Sequence, residues 1–217
     1  MLPAETLNLP PMPARIAKLP RNDRGYPVPY FVAWFDGKPD FRMIRPETMR
    51  EARTRKLCWI CGEPLNAQST FVLGPMCMVN RTNSEPPSHR DCAEFAVHAC
   101  PFMLHPAMVR REDDMTREHS KNSPGIPIKR NPGVMVLWTV PDWTTFKDPL
   151  GRLLFNVGRK PRHVSYWREG RKATFIEVEE SIMSGLPLLL EVCRSKMEQD
   201  ACWDSVRQTI TFVKETV

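Results

Sequence analysis

The residues best suited to chemistry are a small set of thiols and one imidazole. Cys58-Trp59-Ile60-Cys61-Gly62 is a C-x-x-C pair with a glycine directly after it, and Ser88-His89-Arg90-Asp91-Cys92 is an H-x-x-C pair further along. Two thiolates at this spacing can face one ion when the backbone turns in a tight knuckle. Gly62 would supply the backbone angles that other residues avoid. Ligands three apart lie on one helix face, so His89 and Cys92 suit the first turn of a helix, with Ser88 as its N-cap and the positive helix end favouring a thiolate at Cys92. Four ligands with no vacancy describe a closed structural site for one Zn2+. Two other readings compete. Cys58 and Cys61 could form a thioredoxin-like redox pair, but no strand of a βαβ unit precedes them and the downstream H-x-x-C would go unexplained. The thiols could also be free and buried. Cys77, Cys100, Cys193 and Cys202 read as core thiols.

These ligands need a knuckle, a hairpin and a helix, which is the treble-clef arrangement. Residues 70–74 and 76–79 are expected to supply the hairpin, turning at Gly74-Pro75. Upstream, Tyr30–Phe35 reads as a strand, Asp36-Gly37 as a turn and Phe41–Ile44 as a second strand. Pro46–Lys56 reads as a basic helix with Pro46 in its first turn. Downstream, Val134–Val140, Arg152–Val157 and His163–Trp167 suggest a three-stranded meander. Thr174 and Glu177 form a capping box opening a helix that is expected to stop at Gly185. Pro187 should start another helix. A last one from about Asp200 places Trp203, Val206, Ile210 and Val213 on one face. The expected fold is α+β: a treble-clef-like zinc domain joined to an antiparallel meander covered by C-terminal helices. The expected divisions are a Pro-rich extended arm (1–23), a strand pair with the zinc domain (24–105), a charged linker (106–130) and the meander with helices (131–217).

The chain of 217 residues carries 22 prolines and a formal net charge of +6, so long regular elements should be few and an anionic partner is accommodated. The positive charge is concentrated in two stretches. Residues 42–56 include Arg50, Arg53, Arg55 and Lys56, and residues 147–172 include Arg159, Lys160, Arg162, Arg168, Arg171 and Lys172. Residues 173–217 are acidic. Trp34, Phe35, Phe41, Tyr166 and Trp167 lie among the basic stretches, where they could stack on bases or simply fill the core. Asn80, Arg81 and Arg90 flank a loop rich in hydrogen-bonding side chains, which either holds turns or forms a binding surface beside the zinc. The N-terminus has no signal-peptide core and no run is long enough to span a bilayer, so a cytoplasmic location without a membrane partner is expected. Seven cysteines in such a compartment suit metal ligands and buried thiols. No Gly-rich phosphate loop or Ser-His-Asp pattern occurs. His98, His105, His119 and His163 have no acid at an informative spacing.

The string CWICGEPL…TFVLGPMCMVNRTNSEPPSHRDCAEFAVHACPF, with RGYPVPYFVAWFDGKPDFR before it and RNPGVMVLW and VSYWREGRKATFIEVEESIMSGLPLL after it, resembles a family of zinc-finger proteins encoded by bacteriophages and prophages. The resemblance covers about residues 20–195. It implies a phage source and a role in the host cell cytoplasm during infection, and it supplies neither a reaction nor a substrate. Three functions follow: an accessory protein that binds nucleic acid through its basic patches, a module that docks on and modulates a host protein complex, or a metal-dependent nuclease. No small-molecule substrate is expected.

Overall fold

The computed structural model describes residues 9–105, 109 and 131–217. The fold is α+β with antiparallel sheets and C-terminal helices. In chain order the elements are α1 (Ala14–Ala17), β1 (Val32–Phe35), β2 (Lys38–Ile44), α2 (Pro46–Thr54), β3 (Ser69–Leu73), α3 (Pro75–Asn80), β4 (Thr82–Asn83), α4 (Arg90–Ala99) and α5 (Pro101–Leu104). After residue 131 come β5 (Met135–Val140), β6 (Thr144–Lys147), β7 (Leu153–Asn156), β8 (His163–Arg168), β9 (Arg171–Lys172), α6 (Phe175–Glu191) and α7 (Lys196–Thr216). Most of the expected linker 106–130, His119 included, lies outside the described residues.

The central sheet has the order β3-β5-β8-β9. Its middle strand β5 is buried along its whole length. Side chains alternate across a strand, so each face of β5 needs its own cover. Val136, Trp138 and Val140 join Phe71, Phe155, Val178, Ile182, Val206 and Val213 in the main core, beneath α6 and α7. Met135 and Leu137 point the other way and pack on Ala93 and Val97 of α4. A strand covered by helices on both faces reads as an unbroken apolar run, which is how residues 134–140 appear in the sequence.

The expected meander is therefore split between two sheets. β5 pairs with β8 and with β3, while β7 pairs with β6 and β4 in a second, three-stranded sheet. Strand β6 carries little apolar signal in the sequence, because Thr144–Lys147 is short and largely exposed. The hairpin expected over 70–79 also differs. Residues 69–73 are a strand, but Pro75 occupies the first turn of helix α3. Its fixed φ and missing N–H suit that position better than a strand. Met76, Met78 and Val79 thereby enter the main core. At the C-terminal end, α6 runs through Gly185 and Pro187 to Glu191. Gly185 lies inside the helix, where space requires glycine: Met76 packs against it, with its Cγ 2.6 Å from where a Cβ would stand. α7 begins at Lys196, capped by Ser195, whose hydroxyl accepts from the Glu198 N–H. Trp203, Val206, Ile210 and Val213 face the core as their spacing predicted.

Candidate metal centre

The knuckle is a short hairpin closed by backbone hydrogen bonds. Leu65 N–H donates to the Lys56 carbonyl at 2.8 Å, Cys58 N–H to Glu63 at 2.8 Å and Gly62 N–H to Cys58 at 2.9 Å. Gly62 has φ +75°, and a Cβ there would sit 2.7 Å from the Tyr30 ring, so both conformation and space require glycine. The second pair of ligands comes from the start of α4. His89, not Ser88, occupies its N-cap position. Ser88 instead exchanges two backbone hydrogen bonds with Thr70, each 2.8 Å, in a single antiparallel bridge between β3 and the segment leading into the helix. The Asp91 carboxylate accepts from the Cys92 N–H at 2.9 Å, taking one open donor of the first turn.

Cys58, Cys61, His89 and Cys92 are all buried, and their ligand atoms lie within 4.8 Å of one another, close enough to hold one metal ion. His89 Nε2 is 2.9 Å from the Pro64 carbonyl. A carbonyl only accepts, so Nε2 carries the hydrogen and Nδ1 turns its lone pair inward, 3.4 Å from Cys61 Sγ. This outer hydrogen bond orients a metal-binding imidazole. Backbone N–H groups of His89 and Cys61 point at Cys58 Sγ, at 3.3 and 3.5 Å. Hydrogen bonds from the neighbouring thiols of Cys61 and Cys92 hold Cys58 far below the ordinary cysteine range. The same interaction pushes Cys61 up to about 11, and Cys92 is driven higher still by Cys58 and Cys61 together. Three sulfurs in one dry space thus resist carrying three negative charges, and a divalent cation among them removes that penalty.

The wall of the centre is apolar: Ile16, Ile60, Phe95 and Ala99 cluster with the three cysteines. Ile16 belongs to the segment expected to be an extended arm. Residues 9–20 instead fold over the knuckle through Leu9, Met12, Ile16 and Leu19, and α1 is their one helical turn. Their spacing of three or four is a helical signal that the surrounding prolines obscure. Ion pairs of Arg15 with Asp91 (3.6 Å) and Lys18 with Glu63 (3.0 Å) fasten this segment at both sides of the centre. Helix α4 thus serves two structures at once. Cys92, Phe95 and Ala99 face the metal centre, and Ala93 and Val97 face the sheet.

The candidate binding residues are scattered. Arg50, Arg53, Arg55 and Lys56 are exposed on and just after α2, with no ion pair among the described residues. Arg159, Lys160 and Arg162 are exposed on the turn before β8. Arg168 and Arg171 are held by Glu177, Arg171 through two hydrogen bonds of 2.9 and 2.6 Å. Lys172 lies 3.7 Å over the Trp167 ring. Arg90 binds Glu94 at 2.8 Å and reaches His163 Nε2 at 3.1 Å. Asn80 holds a turn by accepting from the Thr82 N–H, and Arg81 lies over Trp138. The three residues flanking the 80–90 loop therefore make separate contacts. Of the aromatics, Tyr166 is buried, while Trp34, Phe35 and Phe41 are 41%, 51% and 45% exposed. Among the described residues, no histidine side chain bonds a carboxylate, and no helix is long and apolar enough to cross a membrane. No protein-family model, curated protein or solved structure matches the chain.

Proposed function

We propose that this is a nucleic-acid-binding accessory protein, of phage origin and acting in the host cytoplasm, whose fold is secured by one structural zinc ion at Cys58, Cys61, His89 and Cys92. Zinc is the metal that a compact set of three thiolates and one imidazole favours. The set is complete without water or substrate, so the ion acts as a scaffold. A knuckle followed by ligands at a helix start retains the treble-clef plan, with the hairpin reduced to the Thr70–Ser88 bridge.

One observation carries the binding reading. The β1–β2 hairpin exposes Trp34, Phe35 and Phe41, and its second strand runs directly into α2, whose outer face carries Arg50 and Arg53. Exposed rings offer stacking platforms for bases, and guanidinium groups without an ion pair among the described residues, on the helix that follows, can neutralise phosphates.

The test is fluorescence anisotropy with labelled single- and double-stranded DNA and RNA, at about 50 and 200 mM salt. Binding should weaken with salt, and Trp34→Ala and Phe41→Ala should each weaken single-strand binding roughly tenfold. No binding of any of these at micromolar protein would refute the reading.

A further inference from the structure

Arg81 is the C-cap of α3 and adopts φ +58°, a left-handed conformation uncommon outside glycine. That backbone turn lays its guanidinium over the core, 4.4 Å above the ring of the fully buried Trp138. Both residues are tied to the end of β7. Trp138 Nε1 donates to the Val157 carbonyl at 3.1 Å, and the Val157 N–H donates to the Arg81 carbonyl at 3.0 Å.

This cation is poorly compensated. The Trp138 ring attracts the cation but offers its N–H groups no lone-pair acceptor. Nη1 is sealed from solvent with no hydrogen-bond partner, and no acceptor among the described residues bonds Nε or Nη2. Burial lowers the arginine's pKa. Tyr166 opposes that, and the charged neighbour that adds to it is another cation, Arg159. Buried polar groups are nearly always paired, and desolvated charges even more so. Arg159 stands exposed on the turn that starts at Gly158, without an ion pair among the described residues. Two like charges share one corner of the fold, and among the described residues no carboxylate forms an ion pair with either.

We propose that Arg81 and Arg159 form a binding site for a phosphate group. The open Nε–Nη2 edge of Arg81 offers the planar fork that binds two phosphate oxygens, and Arg159 supplies the second charge. Trp138 holds the fork in place, so little side-chain freedom is lost on binding. The ligand class is a phosphate monoester or diester. In a nucleic-acid-binding protein the backbone phosphate of the bound strand is its source, and that identification of the source rests on the function proposed above.

The experiment titrates inorganic pyrophosphate into the zinc-loaded full-length protein by calorimetry, with ionic strength held constant by chloride. Saturable binding is expected, and Arg81→Gln and Arg159→Ala should each weaken it roughly tenfold or more. Arg159 is exposed and outside the core, so Arg159→Ala remains informative if Arg81→Gln fails to fold. Absence of pyrophosphate binding, or unchanged binding in Arg159→Ala, overturns the site. In a second arm, the slope of log affinity for a single-stranded oligonucleotide against log salt should become shallower by about one in Arg159→Ala. Pyrophosphate bound without any oligonucleotide binding would leave the site standing as one for a free phosphate compound while refuting the nucleic-acid reading. Oligonucleotide binding whose salt slope is the same in Arg159→Ala would overturn the assignment of the strand as the source.

Discussion

Removing the metal should unfold the knuckle and leave the sheet standing. Ordering the roughly ten residues 56–65 costs about 1 kcal/mol each in backbone entropy, hence about 10 kcal/mol. The buried side chains Ile16, Ile60 and Phe95, which wall the centre, return about 2 kcal/mol each. The shortfall of a few kcal/mol is smaller than the contribution of a structural zinc, which is on the order of 10 kcal/mol. The far face of α4 belongs to a different account, because Ala93 and Val97 pack on Met135 and Leu137 independently of the ion. Chelation, or Cys92→Ser, should therefore abolish hydrogen-exchange protection at the amides of Cys58, Gly62 and Leu65. Protection should persist across the β3–β5 ladder from Phe71–Trp138 to Leu73–Val136. Zinc content by colorimetric release should fall from one equivalent to less than a tenth. Protected knuckle amides in the chelated protein, or a full equivalent of zinc in Cys92→Ser, would refute the reasoning.

Two further outcomes follow from local geometry. Gly62→Ala forces a side chain into the left-handed region against the Tyr30 ring, costing about 1–2 kcal/mol for the backbone and about 1–3 kcal/mol for overpacking; an unchanged urea midpoint would contradict it. Glu177 closes the capping box on Thr174 and accepts from Arg171, which pulls its carboxyl from an ordinary 4.5 to about 2. Its lowered pKa means that its contribution is complete above pH 4.5 and lost as pH falls toward about 2. Glu177→Gln should lower stability by about 1 kcal/mol at neutral pH and flatten the acid limb of the urea midpoint between those values, and an acid limb matching the wild type would count against it.

Much of the metal centre was legible because its signal is short-range. Two ligand pairs at fixed spacing, a glycine after the first and a helix at the second need no knowledge of the rest of the chain. The same holds for the Asp36-Gly37 turn, for Pro46 opening α2 and for the Thr174–Glu177 box. What escaped depends on distant partners. Residues 76–79, expected as the second arm of a hairpin, are helical, because Pro75 suits a first helical turn and the room beneath α6 and α7 takes Met76, Met78 and Val79. Gly185 and Pro187 carry stop signals, yet α6 continues through both; glycine at 185 answers to the packing of Met76 rather than to a helix end, and Leu186 beside it is buried in the core. Residues 135–140 announce burial but not which strands lie alongside. Of the charged candidates, Arg168 and Arg171 look free in sequence, since Glu177 reaches back to them only once α6 folds against β9.

The pairing of β3 with β5 also sets an order of assembly. Ser69 meets Val140 and Leu73 meets Val136 across more than sixty residues of intervening chain. Such distant strand pairing is slow, because the entropy of closing a long loop is lost before any contact forms. All four metal ligands lie before β5 in the chain, so on a ribosome they emerge first. The ion can then be captured while β3 still has an open edge, and the central sheet closes around an end that is already fixed.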